Sequence, residues 1–200
     1  MKGNSMTTAR QNATDYFIEL NGLLLGTVVT ETGVNAIPLD DGFSKGVDLI
    51  LSVRELEGKV MVMGNGGSAA IASHMHNDLC KAVAVRSMIF YEQPLMTALA
   101  NDDGYGCVFE RPVEMWAEKG DLLVAVSSSG GSENILRGAQ AAVEKGCRVI
   151  TLSGFRPDNP LRRMGTLNFY VGAESYGLVE VAHSAIAHLL TDMAMERKRS

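Results

Sequence analysis

The sequence lacks the features of secreted, membrane-spanning and nucleic-acid-binding proteins. Its three cysteines, Cys80, Cys107 and Cys147, are odd in number and form no CxxC pair, so we expect a reduced, cytoplasmic setting. No apolar stretch approaches the ~20 residues of a membrane span, and the N-terminal segment has no apolar run typical of a secretory signal. The formal net charge of −5 predicts no broad basic surface, so neither nucleic acid nor membrane is expected as a partner.

What the sequence does contain is a regular alternation of strand-like and helical patterns after residue 58. The apolar runs are uninterrupted, as in strands that are covered on both faces. Alternation of this kind predicts a three-layer, doubly wound α/β sandwich with a parallel sheet. The runs are KVMVMG (59–64), RSMIFY (86–91), DLLVAVS (121–127), CRVITLSG (147–154) and NFYVG (168–172), and the clearest helical patterns cover 68–82, 108–119, 132–145 and 178–197.

Two further helical patterns precede the first strand, over residues 7–28 and 40–58. The first places Phe17, Leu20 and Leu24 on one stripe. We therefore divide the chain into an N-terminal helical arm (1–58) and a single α/β domain (59–200). The arm packs on the core and on partner subunits in one interpretation, and folds back on its own sheet in the other.

Two turns rich in glycine and serine each connect a strand to a helix. The first is Gly64-Asn65-Gly66-Gly67-Ser68, and the second is Ser127-Ser128-Ser129-Gly130-Gly131-Ser132. Glycine lets the backbone approach a ligand, the helix N-terminus offers unpaired N–H groups, and serine adds neutral donors. Neither turn matches GxxxxGK[ST] or GxGxxG. The turns are anion cradles in one interpretation and plain helix caps in the other, and the four serines of the second favour a phosphate.

All four histidines lie on two predicted helices, and each helix also carries a carboxylate. His74 and Asp78 are four residues apart and share a helix face. Glu180 and His188 share a broad side of the last helix. These four side chains suit zinc or another divalent ion, or acid–base chemistry, although the spacing lacks the tight pairing of an HExxH motif.

The motifs GNGGSAAIASH and VAVSSSGGSENILRGAQAAVEKGCRVITLSG resemble the sugar isomerase (SIS) family, and most of all its phosphoheptose isomerase branch. The resemblance runs over nearly the whole chain. It implies a five-stranded parallel sheet, a homotetramer with active sites at subunit interfaces, and zinc in the site. It also implies an aldose–ketose isomerisation of sedoheptulose 7-phosphate through an enediol.

The resemblance assigns roles to individual residues. Asp78 and His188 correspond to the catalytic pair, and His74, Asp78, Glu180 and His188 to the metal ligands. Substrate binding falls to the two turns, to an aspartate in ANDDGYG and to the first part of the last helix. The substrate-binding residues are Asn65, Gly66, Gly67, Ser68, Asp102, Ser127, Ser128, Ser129, Ser132 and Glu180.

Three positions depart from the family pattern. Asp78 stands where the family usually has a catalytic glutamate, and its carboxylate is one methylene shorter. Glu180 replaces a common glutamine ligand, and Gly177 replaces an aspartate that contacts the sugar. Three alternatives to a heptose isomerase therefore stay open. They are an isomerase of another ketose phosphate, a non-catalytic phosphosugar-binding or replication-initiator-binding SIS protein, and a structural metal or ion-pair cluster.

Overall fold

The computed structural model of the protein describes residues 12–32 and 35–199, so the predictions for residues 1–11, 33–34 and 200 lie outside the described residues. The strands are β1 (Val28–Glu31), β2 (Asn35–Ile37), β3 (Val60–Gly64), β4 (Ser87–Ile89), β5 (Leu122–Ser127), β6 (Arg148–Gly154) and β7 (Leu167–Val171). The helices are α1 (Ala13–Leu25), α2 (Leu39–Glu55), α3 (Gly67–Asp78), α4 (Gln93–Asp102), α5 (Glu110–Trp116), α6 (Glu133–Glu144) and α7 (Tyr176–Arg199).

The five predicted runs form a parallel sheet in the order β4-β3-β5-β6-β7, which confirms the doubly wound architecture. The parallel part has the predicted five strands, and the whole sheet has seven within the described residues, because two antiparallel strands extend it. β1 pairs antiparallel with β7, and β2 pairs antiparallel with β1. The helical pattern over residues 7–28 predicts a helix at Val28, but Val28, Val29 and Thr30 are β-branched, and such residues pack well in strands.

Each face of the sheet is covered by its own set of helices. Alternate residues of β3 show this, because Val60 and Val62 pack in one hydrophobic cluster while Met61 and Met63 pack in the other. Residues of α2, α3 and α7 contribute to the first cluster, and residues of α5 and α6 contribute to the second. The helix α4 was missed by the sequence analysis, and α5 is shorter than the predicted 108–119.

The N-terminal arm contributes to the same core. Helix α2 buries Phe43, Val47, Ile50 and Val53, whereas α1 has no buried residue. On the predicted stripe of α1, Leu20 and Leu24 pack partly against the core, and Phe17 stays 64% exposed. The predicted role of the arm in subunit contacts stays a prediction. Across the described ranges, helices are too short or too polar to cross a membrane.

Helix α7 is held against the sheet by a buried histidine. His183 is fully buried, and its Nε2 lies 3.1 Å from the backbone oxygen of Ser153, at the carboxyl end of β6. A neutral imidazole that donates from Nε2 suits this carbonyl acceptor. Burial lowers the pKa of His183 to about 4, and the hydrogen bond to Ser153 opposes that shift only in part.

The free energy of unfolding should therefore fall when the solution is acidified. The unfolded histidine takes up a proton near pH 6.5, whereas the folded one resists protonation down to about pH 4. The stabilisation is fully present above pH 6.5 and is lost as the pH falls to about 4, by about 3 kcal/mol in all. Urea unfolding of the wild type and of His183→Gln across this range measures it. The difference in the free energy of unfolding between the wild type and His183→Gln should decrease as the pH falls from 6.5 to about 4. A difference that does not change with pH would contradict the prediction.

Candidate active site

The two predicted turns meet at the carboxyl edge of the parallel sheet. The first follows β3 and the second follows β5, and these strands are neighbours with Gly64 paired to Val126. β4 lies on the other side of β3, so the chain reverses its winding direction between β3 and β5. Open α/β sheets bind their ligands in the crevice at such a switch point.

A cavity of about 210 Å³ lies between the two turns and the start of α7. Most of the predicted substrate-binding residues line it, so the structure brings them together. Neither lysine nor arginine lies among the described residues of its wall. The lining consists of Asn65, Gly66, Gly67, Ser68, Val126, Ser127, Ser128, Ser129, Ser132, Tyr176 and Glu180.

The first turn bends sharply because Gly66 has φ +54° and ψ −122°, a conformation that glycine adopts without steric cost. Tyr91 holds the start of the turn. Its hydroxyl accepts a hydrogen bond from Gly64 N (2.8 Å) and donates one to Gly64 O (2.9 Å). Burial raises the pKa of the Tyr91 phenol well above its usual range, so the hydroxyl keeps its proton. Sequence reasoning missed Tyr91.

The side chain of Asn65 is held by its neighbours. Its amide exchanges two hydrogen bonds of 2.9 Å with the amide of Asn134, and its Oδ1 also accepts from the Tyr105 hydroxyl at 3.3 Å. Asn65 therefore joins the glycine turn after β3 to the N-terminal end of α6. The sequence analysis did not single out Asn134 or Tyr105. Only the position of Asn134, two residues after the second turn, could have drawn attention to it.

The second turn offers neutral donors at the N-terminus of α6. Ser127 Oγ accepts from Gly130 N at 3.2 Å and Ser129 Oγ accepts from Gly131 N at 3.3 Å, which shapes the loop. The buried Ser128 Oγ has no hydrogen-bond partner among the described residues. Ser132 occupies the N-cap position of α6, yet its hydroxyl makes no capping hydrogen bond. Unpaired hydroxyls beside a helix N-terminus are suited to bind a phosphate.

Glu180 projects from α7 onto the first turn. A Cβ on Gly67 would collide with the Glu180 carboxylate, so glycine is what allows this close approach. The carboxylate therefore lies beside the N-terminus of α3, where the helix dipole favours a negative charge. In this position Glu180 lines the cavity, and its predicted role in substrate binding stays a prediction.

His74, Asp78 and His188 form a second group, further along α3 and α7. Asp78 Oδ2 lies 3.4 Å from His74 Nε2 and 3.5 Å from His188 Nδ1. One potential ligand atom from each residue lies within 4.8 Å of the others, and Glu180 is not part of this group. Two imidazoles and a carboxylate are suitable ligands for zinc, and both imidazoles are about half exposed, so an ion has access.

Two titratable residues from the sequence analysis lie elsewhere. Asp102 is exposed at the end of α4, where it accepts a hydrogen bond from Asn101, and it is not among the residues that line the cavity. Its predicted contact with the sugar stays a prediction. His76 is separate from the group of three, and its Nδ1 lies 3.8 Å from Cys80 Sγ.

Known proteins resemble this chain in sequence and in fold. The family model described as SIS domain matches residues 36–154. A phosphoheptose isomerase of Helicobacter hepaticus is 33% identical over 162 residues, which cover 78% of this chain and 82% of that protein. The solved phosphoheptose isomerases of Neisseria gonorrhoeae and Francisella tularensis each have a TM-score of 0.78 and 25% identity. These two matches cover 90% and 92% of this chain, and 95% and 96% of the solved chains. The chain therefore belongs to the SIS domain family and, within it, to the phosphoheptose isomerases.

Proposed function

We propose that this protein interconverts sedoheptulose 7-phosphate and D-glycero-D-manno-heptose 7-phosphate through an enediol. One observation carries the proposal. Glu180 at the cavity and His188 in the group of three lie on one side of α7, eight residues and hence about 12 Å apart along the helix axis. This separation suits an extended sugar with a phosphate at one end and a carbonyl at the other.

The phosphate would bind in the cavity, on the second turn. The Ser128 hydroxyl has no hydrogen-bond partner among the described residues, and the Ser132 hydroxyl makes no capping hydrogen bond. Helix α6 adds the N–H groups of its first turn. With neutral donors and a helix N-terminus, the site needs no cation to hold an anion. The similar proteins named phosphoheptose isomerase support the choice of a heptose phosphate as the substrate.

The proton transfers fall to Asp78 and His188. Asp78 Oδ2 faces the two imidazoles, so Oδ1 is the oxygen that would remove the proton from the carbon beside the carbonyl and return it to the neighbouring carbon. Asn77 donates a hydrogen bond to Oδ1 at 3.1 Å and orients it. His188 Nδ1 faces Asp78, so its Nε2 would exchange protons with the sugar oxygens.

The group of three also fits a catalytic zinc ion. Three protein ligands and one open position are typical of catalytic zinc, whereas structural zinc usually has four protein ligands. His74, Asp78 and His188 would hold the ion, which supplies Lewis-acid polarisation of the sugar carbonyl when bound. Glu180 is also predicted as a zinc ligand, but its carboxylate lies over Gly67 and outside the group of three. Its role as a fourth ligand is therefore tested separately.

Zinc affinity separates these ligand sets. We expect His74→Ala to weaken zinc binding by more than about 100-fold. This exceeds the effect of removing a residue that only hydrogen-bonds to a metal ligand. Glu180→Gln should change the affinity by less than about threefold, because Glu180 is outside the group. Competition with a chromophoric chelator measures both. An equal loss in the two variants would identify Glu180 as a ligand, and no loss in His74→Ala would exclude the site.

The activity itself is tested with sedoheptulose 7-phosphate, before and after chelation and with zinc restored. We expect aldose product from the wild type and a loss of about 100-fold or more in kcat/KM for Asp78→Asn, which removes the base. Asp78→Glu keeps a carboxylate and should retain more activity than Asp78→Asn. His76→Asn, on the same helix but outside the group, is the matched control and should match the wild type. No product from the wild type under any condition would overturn the proposal.

We also propose the homotetramer and the cytoplasmic setting that the family resemblance implies. In support, α1 leaves Phe17, Ile18 and Leu25 largely exposed, which is unusual for three large apolar side chains on one short helix. The three cysteines are free thiols, as expected in a reducing compartment.

Sedimentation velocity should give a mass of about 86 kDa, four times 21.5 kDa, for the wild type. The double variant Phe17→Ser, Leu25→Ser should shift the protein to smaller species, because the removed side chains would lie in subunit contacts. Asp40→Ser, Glu55→Ser changes two charged positions of α2 and controls for surface substitution as such. A monomeric wild type would contradict the proposed assembly.

A further inference from the structure

The wall of the cavity is polar except for one large side chain. Asparagine, serine, glycine and glutamate provide almost all of it, and the strand residue Val126 is fully buried. Tyr176, the first residue of α7, contributes the single aromatic ring among the described residues of the wall. Its side chain is 61% exposed, so it is available to a ligand rather than packed in the core.

The ring of Tyr176 is nevertheless held in place. It packs edge to face on Phe155, with ring centroids 4.7 Å apart and an interplanar angle of 75°. Phe155 is itself half-buried against the hydrophobic core. Aromatic pairs in this geometry attract each other beyond the apolar area that they bury, so Phe155 restricts the positions that the Tyr176 ring can take.

Phe155 adopts an unusual backbone conformation to do this. Its φ is +56°, in the left-handed region that non-glycine residues rarely adopt. Both of its backbone groups are hydrogen-bonded, because its N–H donates to Ala173 O (3.1 Å) and its carbonyl accepts from the Tyr170 hydroxyl (2.7 Å). Such strain persists only where the surroundings hold it, and it is concentrated at functional sites.

We infer that Tyr176 is a substrate-positioning residue whose ring packs against the carbons next to the phosphate, and that Phe155 positions the ring. Hydroxyls and N–H groups of the second turn bind the phosphate and offer nothing to the C–H groups that follow it. The ring provides the apolar surface for them. The cavity thereby prefers a phosphate ester of a carbon chain to free phosphate. This inference rests on the proposed function for the identity of the sugar.

The test compares the binding of sedoheptulose 7-phosphate and inorganic phosphate by calorimetry, which requires no turnover. We expect the wild type to bind the sugar phosphate more tightly. Tyr176→Ala should weaken sugar phosphate binding about tenfold, as for the loss of one aromatic packing contact, and leave phosphate binding unchanged. Tyr176→Phe keeps the ring and should stay within about twofold of the wild type.

Phe155→Gly tests the positioning role, since glycine accepts the positive φ and removes only the ring. We expect Phe155→Gly alone to weaken sugar phosphate binding several-fold. Combined with Tyr176→Ala, it should cause no further loss. In turnover, both variants should raise KM and leave kcat nearly unchanged. Trp116→Ala removes an exposed aromatic ring that does not line the cavity and should behave as the wild type does.

Several results would overturn the inference. Equal losses in Tyr176→Phe and Tyr176→Ala would mean that the hydroxyl acts and not the ring. Equal losses for phosphate and sugar phosphate would mean that Tyr176 only shapes the anion site. A wild type that binds the sugar phosphate no more tightly than phosphate would refute it whatever the isomerase assay gives. If the isomerase assay fails while the ring-dependent preference is observed, the proposed function falls and this inference stands.

Discussion

The parallel pairing of β3 with β5 is the constraint on which the rest of the site depends. These strands are neighbours although β4 and the helices α3, α4 and α5 separate them in the chain. Their carboxyl ends therefore place two turns, more than sixty residues apart in sequence, on opposite walls of one cavity. The amide pair between Asn65 and Asn134 then joins the two turns directly. Neither turn would form an anion site of this shape alone.

Helix α7 extends the site away from the sheet edge. Its first residue and Glu180 belong to the cavity, and His188, two further turns along, meets Asp78 and His74 on α3. The buried hydrogen bond from His183 to Ser153 lies between these points and fixes the helix on β6. A single rigid element thus sets the distance between the place that binds an anion and the group that can hold a metal or move protons.

Periodicity and turn chemistry predicted most of the fold and much of the site. The uninterrupted apolar runs predicted β3 to β7, because strands covered on both faces have no polar alternation. The glycine and serine turns predicted the cavity lining, because few other uses explain so many small residues between a strand and a helix. The pairing of His74, Asp78 and His188 needed the family resemblance as well as helix spacing.

The features that were missed depend on tertiary contacts. The strands β1 and β2 are short, and only pairing with β7 decides that Val28 is not helical. Tyr91, Asn134 and Tyr105 act through hydrogen bonds to residues far away in sequence, which leave no local pattern. The position of Glu180 over Gly67, away from the three potential ligands, likewise follows from how α7 crosses α3.

The absence of lysine and arginine from the described cavity wall has a kinetic consequence. The chain carries a net charge of −5, so its field at long range does not draw a phosphorylated sugar toward the site. Helix N-termini and hydroxyls attract an anion only within the last few ångströms. Capture of the substrate therefore receives no electrostatic steering, and because salt screens the repulsion between like charges, its rate does not fall as the ionic strength rises.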